Sequence, residues 1–140
     1  MAAMGSLVKA GSGRTILTAV NDYQGSTTIE AGVLQMGDVA EGSTSATATL
    51  GGTGDILLSS STSRLAYGLT DDLTLTRKLT GAGGIEQSGT GTLTINNATN
   101  DFTGNVYINS GRLQVANLTH IGVAQAGSTA TAESASATAP

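Results

Sequence analysis

Residues 83–116 read GGIEQSGTGTLTINNATNDFTGNVYINSGRLQVA, and they decide the fold because the chain contains this pattern twice. Laid over residues 5–13 with an offset of 78, Gly83, Gly89 and Gly91 fall on Gly5, Gly11 and Gly13, and Ile85 falls on Leu7. With one residue inserted after Gly91, the match continues at an offset of 79. Thr94-Ile95 then meets Thr15-Ile16, and Asn100-Asp101-Phe102 meets Asn21-Asp22-Tyr23. Gly104 meets Gly25, Ile108 meets Ile29, Gly111 meets Gly32, and Leu113-Gln114 meets Leu34-Gln35. Gly and Thr coincide easily in a chain rich in both, but an ordered series of aliphatic matches does not arise that way. A shorter echo, L-x-G-x-G-x-I, begins at Leu50 and again at Leu79.

Inside each copy the apolar residues alternate with polar ones, as in Leu93-Thr-Ile95, Val106-Tyr-Ile108 and Leu113-Gln-Val115. Leu73-Thr-Leu75 between the copies does the same. Alternation over three to five residues predicts short strands, and the Gly, Asn and Asp between them predict tight turns. No helical period outlasts one turn.

Composition raises a difficulty that this pattern resolves. Of 140 residues, 20 are Gly, 22 Thr, 19 Ala and 14 Ser, more than half the chain. Aromatics are 3% and charged residues 11%. A core of large side chains is out of reach. Stacked aliphatic ladders need only a few large residues per turn, so the expected fold is all-β, a parallel solenoid. An antiparallel β-sandwich of about 100 residues is the alternative; sandwiches carry more aromatics and lack such a repeat. Collagen is excluded by a single proline. The absence of cysteine excludes a disulfide scaffold and Cys-ligated metal. Nucleic acid is a poor partner for a chain of net charge −4. No apolar run approaches the length of a transmembrane helix.

The two segments LVKAGSGRTILTAVNDYQGSTTIEAGVLQMG (7–37) and IEQSGTGTLTINNATNDFTGNVYINSGRLQV (85–115) resemble the passenger-associated transport repeat of bacterial autotransporters. That repeat runs roughly L-x-K-x-G-x-G-T-L-x-L, N-x-Y-x-G, then T-x-I-x-x-G-x-L-x-V. Arg14-Thr15 departs from its Thr-Leu, and Asn105-Val106 from its Gly/Ser-Thr. The resemblance implies a right-handed parallel β-helix exported by type V secretion and displayed on, or released from, the outer membrane. It further implies adhesion, self-association or biofilm formation. The partners implied are host surface molecules, another copy of the chain, and the β-barrel translocator of the parent chain. It implies no enzyme activity and no cofactor. With no signal sequence or C-terminal barrel, the chain reads as a fragment of a passenger.

The expected organisation is four leader or expression residues (1–4), a β-helix segment (5–123) and a flexible Ala/Ser/Thr tail (124–140). Within the β-helix, repeat units at 5–37 and 83–116 flank connecting rungs at 38–82. The repeat positions expected to build it are Gly11, Gly13, Tyr23, Gly25, Ile29, Gly32 and Leu34, with Gly89, Gly91, Phe102, Gly104, Ile108, Gly111 and Leu113. Tyr23 and Phe102 hold equivalent places and are expected to pack over a rung or seal a turn.

Reactive constellations are sparse. His120 is the single histidine, so any Ser-His-Asp triad would have to use it. Asp71-Asp72 is the one adjacent acidic pair and reads as a turn before Leu73. The stretch 51–56 places its Asp one position early for a calcium-binding nonapeptide. The Gly-x-Gly pairs lack the third glycine and the helix of a dinucleotide loop. Asn97-Ala-Thr99 and Asn117-Leu-Thr119 fit a glycosylation pattern that carries no meaning in a bacterial protein. A second class of function is an ice-binding solenoid, suggested by Thr74-Leu-Thr76 and Thr92-Leu-Thr94; a third is a passenger segment of a secreted enzyme whose active site lies elsewhere.

Overall fold

The computed structural model describes residues 5–18, 21, 23–37, 54–97, 99–115, 131–132 and 137–138. Its strands are short, as alternation broken by glycine requires. In chain order they are β1 (Leu7–Lys9), β2 (Arg14–Leu17), β3 (Thr27–Ile29), β4 (Val33–Met36), β5 (Ile56–Leu58), β6 (Arg64–Tyr67) and β7 (Leu73–Leu75). They continue as β8 (Leu79–Gly81), β9 (Gly84–Gln87), β10 (Thr92–Ile95), β11 (Val106–Ile108), β12 (Arg112–Val115), β13 (Thr131–Ala132) and β14 (Ala137–Thr138). No helix occurs among the described residues.

Among the described residues every strand pair is parallel. Sheet I stacks β1, β3, β5 and β8; sheet II stacks β2, β4, β6, β9, β11 and β13; sheet III stacks β7, β10, β12 and β14. The two middle turns each give one strand to every sheet, β5, β6 and β7 and then β8, β9 and β10. The result is a parallel β-solenoid of about four turns, not a sandwich. One rung further on, residues 101–103 run over β8, with Asp101 N donating to Leu79 O (3.0 Å) and Thr103 N to Gly81 O (2.9 Å).

Parallel stacking puts like on like. In sheet II the inward ladder runs Leu34, Leu65, Ile85 and Val106. In sheet III, Leu73, Leu93 and Leu113 form one ladder, and Leu75, Ile95 and Val115 another. In sheet I, Ile56 lies against Leu79. Nearly all of these are buried in a single cluster with Phe102, Tyr67 and Met36. Each fully buried Leu or Ile contributes about 1.5–3 kcal/mol, so a few per rung suffice.

The two repeat copies build the same four-strand block on different faces. β1 to β4 alternate between sheets I and II, whereas β9 to β12 alternate between sheets II and III. Pairing also moves the extra residue. Thr15 pairs with Leu34 as Leu93 does with Leu113, and Leu17 pairs with Met36 as Ile95 does with Val115. The offset of 78 therefore holds through β1 and β2, and the inserted residue lies in the connection 96–105, not after Gly91. Ile16, matched to Ile95 by identity, points outward and is 39% exposed. Leu17 takes the inward place.

Another equivalence is polar. Lys9 and Gln87 hold the same inward position and both satisfy turn carbonyls. Lys9 Nζ donates to the carbonyl oxygens of Ala10, Gly11 and Ala31 at 2.7, 2.8 and 3.3 Å. Gln87 Nε2 donates to those of Gly91 and Arg112 at 2.9 and 3.2 Å. The lysine of the repeat pattern, buried at Lys9, is thus a turn clamp.

The connecting rungs 38–82 are described from residue 54 onward and supply β5 to β8. Residues 1–4 and most of the stretch read as a flexible tail lie outside the described residues. Within that stretch, β13 pairs with β11 and β14 with β12.

Candidate functional site

Most of the expected repeat positions serve the fold. Ile29, Leu34, Ile108, Leu113 and Phe102 are buried in the core. Tyr23 is half-buried, and its hydroxyl lies 2.5 Å from Thr27 Oγ1. Phe102 packs in the core cluster. Gly11, Gly13, Gly25, Gly32, Gly89, Gly91, Gly104 and Gly111 lie between strands. At Gly32 and Gly111, φ is +71° and +66°, and an added Cβ would sit 2.3 Å from the carbonyl oxygens of Gly13 and Gly89.

The residues considered for chemistry stand apart. Asp72 Oδ1 accepts from Thr92 N at 2.9 Å, tying one rung to the next. Asn97 Oδ1 accepts from Thr99 N and Oγ1, which closes a turn. Thr74 stacks on Thr94, but the ladder continues with Gln114, and Thr92 faces Arg112. His120, Asn117 and Gly51–Thr53 lie outside the described residues. Among the described residues no group of three His, Cys, Asp or Glu side chains could hold a metal, and no helix is long and apolar enough to cross a membrane. Burial pushes the Tyr67 phenol above its ordinary range; the charge of Arg77 opposes this and Tyr23 adds to it. Tyr67 is a neutral core residue.

The polar architecture gathers on the outer face of sheet II. Register places Gln35, Ala66, Glu86 and Tyr107 in one column, and Val33, Arg64 and Gly84 in the next. Arg14, at the base of the second column, reaches Glu86 Oε2 with both terminal nitrogens at 3.3 Å and also donates to Gln35 Oε1. It bridges the residues on either side of Ala66, which is fully buried although it alternates with core residues. Arg64 Nη1 lies 3.6 Å from Glu86 Oε1, and Asn109 Nδ2 donates to that oxygen at 2.8 Å. The Arg64 guanidinium also stacks on the Tyr107 ring, 4.0 Å from its centroid. Glu86, only 5% exposed, is the anchor that holds two arginines across several rungs.

Beside this network lies a groove of about 310 Å³ at the corner where sheet I passes into sheet II. Unequal turns make it. The β5–β6 turn spans five residues, 59–63, whereas β3–β4 takes three and β8–β9 two. The long turn overhangs its neighbours and is closed on itself. Ser63 N and Oγ donate to Ser60 O at 2.9 and 2.6 Å, and Ser60 Oγ lies 2.9 Å from Thr62 Oγ1. Ala82, Gly84 and Gly104 line it beside the turn, and Ser61, Arg64, Thr103, Asn105 and Tyr107 complete the lining.

No local signal in the sequence marks this groove. In the sequence, Arg14 stands out only as a departure from the repeat. Arg64, Glu86 and Tyr107 stand on three successive turns, and Asn105 shares the rung of Tyr107. Residues so far apart in the chain become neighbours only with the register in hand.

Among known proteins, the family model of the passenger-associated-transport-repeat matches residues 7–36 and 85–115. No curated protein and no solved structure matches the chain.

Proposed function

From two passenger-associated-transport repeats carried on one parallel β-solenoid, we propose that this chain is a non-catalytic stalk within the passenger of a bacterial autotransporter. The repeat's family implies export to the cell surface or secretion, and a translocator domain linked to the passenger. The observation that carries the reading is the block β9 to β12, which matches the repeat and lies on the sheets begun by earlier turns. Each completed rung offers an unpaired edge on which the next can form, which suits a chain that folds as it emerges. On this reading the solenoid displays its outer face and turns for adhesion or self-association, and acts on no substrate.

The test is deletion of 83–116 from the full-length parent protein, with display measured by antibody labelling of intact cells against an epitope in the passenger. Labelling falls while total protein in the envelope stays constant. Undiminished labelling rejects the proposed role in secretion.

A further inference from the structure

We propose that the groove overhung by turn 59–63 binds an acidic saccharide, a sugar unit bearing a carboxylate among its hydroxyls. The inference supplies a ligand class for the adhesive role proposed above and rests on that reading for its biological setting. The chemistry rests on the groove itself.

Arg64 is the centre of the groove's chemistry. Glu86 holds it from one side at 3.6 Å and the Tyr107 ring supports its face at 4.0 Å. Among the described residues its guanidinium makes no hydrogen bond, so these fixed N–H donors are kept for a partner. A planar, pre-oriented guanidinium matches a carboxylate in bidentate fashion. Charge points the same way. Arg14, Arg64 and Glu86 together leave this face one positive charge in excess, on a chain of net charge −4.

The remaining groups suit hydroxyls. Asn105 Nδ2 donates to the Tyr107 hydroxyl at 3.1 Å, which fixes the amide. Its Oδ1 takes no bond among the described residues. Neither do the hydroxyls of Ser61 and Thr103. One anion site, one fixed acceptor and two hydroxyls converge on a groove of about 310 Å³, room for a single sugar ring. The self-bonded turn and the stacked rungs hold these groups in place before a ligand arrives, which lowers the ordering cost of binding.

The experiment is a titration of the isotope-labelled chain with digalacturonic acid, with galactobiose as its neutral counterpart and with sodium acetate, followed by amide chemical shifts. Digalacturonic acid produces saturable shifts confined to residues 61–64, 84 and 103–107. Galactobiose and acetate bind at least about tenfold more weakly, since each lacks half of the recognition. Arg64→Ala lowers affinity about tenfold or more, and Arg64→Lys recovers part of it. Asn105→Asp, nearly isosteric, weakens binding by placing a like charge in the groove. Arg112→Ala, on sheet III, changes nothing. Amide dispersion establishes that each variant is folded. The proposal is overturned by equal binding of acetate, by shifts that map elsewhere, by a lack of saturation, or by wild-type affinity in Arg64→Ala. Display measured by cell labelling is a separate readout. Binding with display unaltered by deletion of 83–116 rejects the proposed role in secretion alone, and lost display without binding rejects the groove alone.

Discussion

Gly11 and Gly111 both adopt left-handed backbone, with φ of +81° and +66°, but they face different surroundings. A Cβ on Gly11 would meet nothing within 4 Å. On Gly111 it would sit 2.3 Å from Gly89 O and 2.5 Å from Gly91 O. Both carbonyls belong to the rung below, and Gly91 O already accepts from Gln87 Nε2 and Arg112 N. Gly11→Ala therefore carries only the backbone strain, about 1–2 kcal/mol. Gly111→Ala adds a clash with fixed carbonyls and costs about 3 kcal/mol or more. Urea midpoints of the two variants check this; equal losses would mean that the turn before β12 relaxes freely. The sequence marks both glycines as turn residues in the same way. It does not separate a glycine that needs an angle from one that needs the rung beneath it to come close, because the second need is created by stacking.

At the scale of the element, the informative feature is the register of β2. Alternation has a period of two, so a shift of one residue exchanges the inward and outward faces. Thr15-Ile16 and Thr94-Ile95 match by identity, and that match alone would send Ile16 inward. The ladder instead pairs Leu17 with Met36 and leaves Ile16 outside. Leu17→Thr is expected to cost about 1–2 kcal/mol of stability through lost apolar burial. Ile16→Thr, on the exposed face of a strand, is expected to change stability by less than about 0.5 kcal/mol. The reverse order in chemical unfolding would place β2 one residue away. The short strands, the all-β class and the thin aliphatic core were legible because alternation and glycine spacing are local signals. Register was legible only in part: in a chain with 22 threonines, identity is a poor guide to which residue faces in. The groove was less legible still. It depends on a five-residue turn stacked beside shorter ones, and on Arg64, Glu86 and Tyr107 becoming neighbours across three rungs.

For the whole molecule, the controlling quantity is the phase of the chain around the solenoid axis. Leu73, Leu93 and Leu113 stack one turn of chain apart, and so do Ile85 and Val106. The sequence repeat has another period. Its first copy begins at Gly5 and its second at Gly83, an interval of three full turns from β1 to β8 and then one face more. The repeat is thus a corner-spanning block that fits sheets I and II or sheets II and III equally well, and its recurrence need not coincide with a whole turn. The structure should then tolerate removal of one full turn and not of half a turn. Deleting residues 85–105 joins Gly84 to Val106, sets β11 directly on β6 with Val106 over Leu65, and brings Leu113 over Leu73. The strand signal in circular dichroism persists, unfolding stays cooperative, and the urea m-value falls by about a fifth, in proportion to the buried surface lost. Deleting only residues 95–105 removes half as much chain but joins β10 to β11 out of phase, so that sheets II and III lose their upper rungs together. That variant is expected to lose more stability than the larger deletion, although it retains more of the native sequence. The opposite ranking of the two urea midpoints would show that local sequence, and not phase, governs how the rungs stack.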